Sequence, residues 1–138
     1  MSGLWSMGYN VRDVESRLEA TMWAVEYLGV PKGFDGPFTY SLHVDEVMDA
    51  GGFQEEYIVD CHGEHVAYLA WFVGNDIHHH GEILSVHSMV INPEATTKGL
   101  RVFINRYLHH LAKLNECSWV SRYKHDGDTL RNYFKEVK

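Results

Sequence analysis

The sequence contains no apolar run approaching the ~20 residues of a membrane-spanning helix, so no such span is expected. Cysteine is scarce. Cys61 and Cys117 are too few for a disulfide framework and read as two reduced thiols of the kind found in the cytosol. The opening residues Met1-Ser2-Gly3-Leu4-Trp5 lack the basic start and apolar stretch of a signal peptide. Export by a standard route is therefore not expected, and a cytoplasmic location is. Positive charge is short as well: 12 Lys and Arg against 19 Asp and Glu leave a formal net charge of −7. Non-specific affinity for nucleic acid comes mainly from Lys and Arg, so nucleic acid is not an expected partner. Lys98, Arg101 and Arg106 form a local basic exception. The ten histidines would cancel much of the negative charge below about pH 6.5, so solubility is expected to fall in mild acid.

What is present is enough for a core. The 138 residues are 45% hydrophobic and 13% aromatic, which excludes global disorder. No internal repeat, low-complexity tract or long linker divides them, so residues 1–138 read as one domain.

Along the chain, Leu4–Tyr9 reads as a first strand and Asn10 as the N-cap of a helix to Leu28. Val11, Val14, Leu18, Met22 and Val25 give that helix an apolar stripe. Glycines and prolines from Gly29 to Pro37 break it, and a short helix follows over His43–Ala50. The period then changes. Tyr57–Cys61 and Val66–Val73 read as a hairpin about His62-Gly63-Glu64, and Ile83–Ile91 as a third strand that Pro93 ends. Leu100, Phe103, Ile104, Tyr107, Leu108, Leu111 and Leu114 share one helical face. Trp119–Tyr123 reads as a strand, and Leu130, Tyr133, Phe134 and Val137 as a closing helix. The expected order is β-α-α-β-β-β-α-β-α. The unit from Ile83 to Tyr123 should be a parallel crossover, in a mixed, mostly antiparallel sheet with helices on both faces.

The chemistry concentrates at Val90-Ile91-Asn92-Pro93-Glu94-Ala95-Thr96-Thr97-Lys98-Gly99-Leu100-Arg101. A strand exit, a polar loop and a helix start aim backbone N–H groups and a helix dipole at one point, where an anion such as pyrophosphate can be held.

This segment resembles the GNAT family, the acetyl-CoA-dependent N-acyltransferases. The family has a V-x-P-E-like strand exit there, then an Arg/Gln-x-x-Gly-x-Gly/Ala loop. Gly99 matches the first loop glycine, Thr96 stands in the place of the usual Arg or Gln, and Arg101 in that of the second glycine. The hairpin VDCHGEHVAYLAWFV is similar to the family's two strands before the signature, and DTLRNYFKEV to its helix bearing a tyrosine general acid. The resemblance covers nearly the whole element order, although family members continue into strands beyond the position of Lys138. It implies a GNAT-like fold, C-terminally short, with acetyl-CoA held by Val90, Ile91, Thr96, Thr97, Lys98, Gly99, Leu100 and Arg101. Amides of Ile83–Ile91 would polarise the thioester, Glu82 or else His87 would deprotonate a small-molecule or protein amine, and Tyr133 would protonate the thiolate. The plainer reading of Glu82 is a solvated strand-start carboxylate, and of Tyr133 a core aromatic.

No metal is expected. His78-His79-His80 point in different directions on a strand or turn, and neither His62 with His65 nor Cys61 has a completing partner pattern. A second reading also stands: a non-catalytic GNAT-fold protein for assembly or protein binding, similar in its short length and altered loop to acetyltransferase-like virion and accessory proteins of tailed bacteriophages. Trp5, Trp23, Phe34 and Phe38 would be its anchoring aromatics, the plainer reading of each being ordinary core, most of all for Trp23 on the first helix.

Overall fold

The computed structural model describes residues 7–95, 97–126 and 129–138. Its elements are β1 (Asn10–Asp13), α1 (Leu18–Leu28), α2 (Pro37–Gly51), β2 (Gln54–Val59), β3 (His65–Asp76), β4 (His79–Ile91), α3 (Lys98–Leu114), β5 (Cys117–Asp126) and β6 (Thr129–Glu136). The six strands form one sheet in chain order. All neighbours are antiparallel except β4 and β5, which α3 joins as the expected parallel crossover.

The two faces of the sheet carry separate cores. On one, Ile58, Leu69, Leu84 and Val86 meet Leu100, Phe103, Ile104 and Leu108 of α3, all at most 2% exposed. The predicted stripe of α3 is thus its buried face, and each such side chain contributes about 1.5–3 kcal/mol of transfer free energy. Glu56 fixes α3 further by accepting from Tyr107 Oη at 2.5 Å and Trp71 Nε1 at 2.9 Å. On the other face Ala20, Trp23 and Met48 of α1 and α2 cover Tyr57, Tyr68 and Ala70.

Three expectations need correction. The predicted closing helix is a strand: Thr129–Glu136 pairs residue by residue with β5, from Asp126↔Thr129 to Trp119↔Glu136. Leu130 and Tyr133 are each 52% exposed, so their spacing of three is not a core stripe. What decides the conformation is the open edge of β5, whose backbone groups gain a ladder only if β6 is extended. At the other end, Asn10 is not a helix cap. Asn10–Asp13 pair with β2, and the helix begins only at Leu18. Its buried face is therefore Ala20, Thr21 and Trp23, while Leu18 is 56% exposed. The part of the predicted first strand before Met7, and Trp5 with it, lies outside the described residues. The second helix also starts earlier, because Pro37 opens it at the first turn, where a missing N–H costs nothing.

Arg17, just before α1, ties both helices to the sheet. Its guanidinium donates to Glu55 through Nε and Nη2, to Asp45 at 3.1 Å and to Asp49 at 2.7 Å. Glu55 also accepts from Tyr68 Oη at 2.6 Å. The hydrogen-bonded Arg17 holds the Glu55 carboxyl below the usual range, and burial pushes the Tyr68 phenol up.

Candidate functional site

The site begins with a fault in the sheet. Ala70 pairs with Ser88 but its neighbour Trp71 pairs with Val86, so His87 is an extra residue on β4. A bulge of this kind kinks the strand and reverses which side chains face which layer. Leu84 and Val86 face the α3 core before it, and Ile91 does after it. The parallel ladder of β4 with β5 also stops there, at Val86↔Arg122, whereas β4 stays paired to β3 as far as Ile91. From His87 to Ile91 the edge of β4 towards β5 thus has no strand partner among the described residues.

That edge leads into the start of α3. Asn92 shapes the turn: its Oδ1 accepts from Glu94 N at 3.1 Å and its carbonyl from Ala95 N at 2.9 Å. Thr97 caps the helix, its Oγ1 accepting from Leu100 N at 3.1 Å, with Tyr9 Oη 3.3 Å from the same oxygen. The N–H groups of Lys98 and Gly99 precede the intrahelical ladder, and the first turn carries no acidic residue. A Cβ at Gly99 would meet nothing nearer than 3.9 Å, so the backbone there is open to an approaching ligand. Lys98 and Arg101 are exposed beside it, and Leu100 is buried beneath. Val90 and Ile91 are partly buried, against the α1–α2 core and the α3 core respectively. Thr96 lies outside the described residues.

On the α1–α2 face, a cleft of about 560 Å³ opens at the bulge. Its walls include Phe34, Tyr40, His43, Val44, Val47 and Met48 on one side and His87, Ser88, Tyr123 and Leu130 on the other. His87 stacks on Phe53, and desolvation holds its imidazole below the ordinary histidine range. It is therefore neutral near pH 7 and able to accept a proton.

The three predicted catalytic residues do not converge. His87 lines the cleft. Glu82 pairs with Cys117 at the far end of the parallel ladder, about 16 Å along the strand at 3.3 Å per residue. Burial, and after it the Glu82 charge, raises the Cys117 thiol. Tyr133 lines a groove with Leu108 and His109 of α3, on the opposite face of the sheet from His87. The hydroxyl-bearing residues that do line the cleft are Tyr40, Ser88 and Tyr123, the last of which the sequence reading treated only as the end of a strand. Tyr40 and His43 were missed too, and Phe34 was read only as an anchoring aromatic for a protein partner. Among the described residues, no group of three His, Cys, Asp or Glu is placed to hold a metal ion, and no helix is long and apolar enough to cross a membrane.

No family model matches the sequence. Among solved structures, the chain resembles a "possible acetyltransferase" of Clostridium difficile 630, with a TM-score of 0.61 and 13% identity, covering 88% of this chain and 82% of that one. It also resembles an acetyltransferase of Trypanosoma brucei, with a TM-score of 0.58, 12% identity and coverage of 86% and 84%. The spermidine N-acetyltransferase of Vibrio cholerae, solved with CoA and spermine, gives 0.55, 14%, 84% and 70%. These likenesses establish a GNAT fold. In sequence the chain is 59% identical over 126 residues to Protein 7 of Escherichia phage T7, covering 91% of this chain and 95% of that protein. At that identity over nearly the whole of both chains, this protein belongs to the family of phage T7 Protein 7, built on the GNAT fold.

Proposed function

We propose that the chain binds an acyl-coenzyme A, acetyl-CoA in the first instance, and transfers the acyl group to an amine. The observation that carries this reading is the unpartnered β4 edge from His87 to Ile91, running directly to the open N-terminus of α3. The edge offers N–H and C=O groups to the amide-bearing arm of the coenzyme, as a neighbouring strand would. The N–H groups of Lys98 and Gly99, with the Lys98 and Arg101 cations, suit its pyrophosphate. The coenzyme supplies the thioester. The amine nitrogen bonds to the thioester carbonyl carbon, the C–S bond breaks, and the sulfur leaves as thiolate. Neutral His87 takes the amine proton, and Tyr123 Oη returns a proton to the thiolate. With rings and aliphatic side chains around the cleft, the amine is carried on an apolar group.

A second reading has its own observation. Tyr27, Leu28, Phe38 and Leu42 are 80%, 69%, 73% and 52% exposed on α1 and α2, as a non-catalytic assembly or virion component would use to dock a partner.

Calorimetric titration with acetyl-CoA, with free CoA as control, separates the two. Micromolar binding, about 8 kcal/mol, is expected of an acyltransferase. No heat, and no thermal shift at millimolar ligand, would leave the docking reading.

A further inference from the structure

We infer that the groove between α3 and the β5–β6 hairpin binds an oxyanion, a phosphate or carboxylate group, with Arg122 as its anchor. The groove exists because the chain turns straight back after β5: Asp126 pairs with Thr129, so no helix covers β5 beside α3. Its volume is about 280 Å³.

Arg122 lies in the middle strand of three, flanked by Val86 on β4 and Tyr133 on β6. Its side chain turns towards α3, where Nη2 donates to Asn105 Oδ1. A guanidinium has five N–H donors in a planar fork. Among the described residues, no carboxylate lies within ion-pair distance of this one. Arg17, the other buried-side arginine, has three. A charge withdrawn from water is expensive unless a partner neutralises it. Burial is deep enough here to lower the Arg122 pKa.

The remaining polar groups of the groove fit the same ligand. Tyr133, Lys135 and His109 line it beside Arg122, and each can donate a hydrogen bond. Glu136, the one carboxylate of the lining, pairs with Trp119, three residues along β5 from Arg122. Leu108, Val120 and Val137 make up the apolar wall, which strengthens a charge-assisted hydrogen bond by excluding water. The site is distinct from the start of α3: Asn105 is seven residues beyond Lys98, about 10 Å along the helix.

The test is NMR of the full chain, following the backbone amide resonances of the lining residues His109, Tyr133 and Lys135, which survive substitution at Arg122. Inorganic phosphate and succinate are added in turn at constant ionic strength. A saturable shift with either, not reproduced by chloride, is expected. Arg122→Gln should weaken it about tenfold or more, and Arg122→Lys, which keeps the charge but loses the fork, should weaken it nearly as much. Lys98→Gln should leave it unchanged. If Arg122→Gln does not fold, Arg122→Lys decides. The absence of a saturable shift, or one retained in the folded Arg122 variants, would overturn the site. Coenzyme A against dephospho-coenzyme A tells the source: stronger binding of the former, lost in Arg122→Lys, assigns the oxyanion to the coenzyme's 3′-phosphate. Equal binding assigns it to a separate ligand. The phosphate and succinate titrations stand whether or not coenzyme A binds.

Discussion

The imidazole of His87 lies flat on the ring of Phe53, with centroids 4.3 Å apart and planes 14° from parallel. The contact buries one face of the only ionisable side chain that the β4 bulge turns into the cleft, and desolvation lowers its pKa. In the folded state the neutral form is favoured, so the unfolded chain binds this proton more readily. The contribution to stability is complete above the ordinary histidine value of about 6.5 and is lost as pH falls below it. Acyl transfer should accordingly persist to somewhat below pH 6.5 before the base is protonated. His87→Gln should reduce kcat by roughly 10²-fold or more. Glu82→Gln should leave kcat unchanged, and a large loss there with none at His87 would reverse the assignment.

How much of this was legible in the sequence follows from which interactions are local. The stripe from Leu100 to Leu114 and the hairpin about Gly63 are set by spacing and by one turn, and both were readable. Gly63 sits at φ 79°, and Asp60 closes the turn by accepting from His62 N and Glu64 N through Oδ1. The strand β6 was not readable, because its conformation is decided by the edge of β5 and not by its own period. The bulge at His87 was hidden for the same reason: only the pairing of Ala70 with Ser88 and Trp71 with Val86 reveals an extra residue. The loop Asn92–Arg101 was found by its family pattern, whereas Tyr40 and His43 of α2, with Phe34 of the preceding loop packed on both, reach the cleft only because α2 lies across that face.

Removing the Glu55 charge should loosen both helices. Glu55 answers Arg17 and Tyr68 from a half-buried position, and Asp45 and Asp49 supply the rest of the Arg17 shell from more exposed ones. Glu55→Gln is expected to cost about 2 kcal/mol, less than a fully buried pair because two other carboxylates remain. The depressed carboxyl contributes stability that is present above the ordinary glutamate value of about 4.3 and is lost as pH falls through its folded pKa. Denaturant titration at pH 7 and at pH 3.5 should show the gap between wild type and variant narrowing in acid. An equal gap at both would separate the Glu55 charge from the effect.

Gly99 distinguishes a binding role from a structural one. Apart from its chain neighbours and the helix's own backbone, no atom of the described residues comes nearer than 3.9 Å to a Cβ built there, and its φ is not in the left-handed region. Gly99→Trp should therefore fold with unchanged helix content by circular dichroism. It should also lose acetyl-CoA binding, since the indole covers the N–H groups of the first turn. Undiminished affinity in the folded variant would remove the start of α3 from the binding site.

The cleft also makes a statement about the acceptor. Polyamines carry several ammonium groups, and a site for them needs carboxylates facing the chain. Here the walls are Phe34, Tyr40, Tyr123 and aliphatic side chains, with His43 and His87 as the only ionisable groups besides the tyrosines among the described residues. Phe34 packs at 5.2 Å from Tyr40 and 5.0 Å from His43, so its ring is held as a fixed wall. An amine on an aromatic or branched aliphatic carrier can bury its substituent against these rings, whereas spermidine would leave a second ammonium without a counter-charge. With acetyl-CoA saturating, kcat/KM for phenethylamine should exceed that for spermidine by about tenfold or more, the scale on which an apolar pocket discriminates. Phe34→Ala should erase most of that preference while leaving acetyl-CoA affinity intact. A preference for spermidine in the wild-type protein would mean that the amine enters by another route, past the acidic side chains around Arg17.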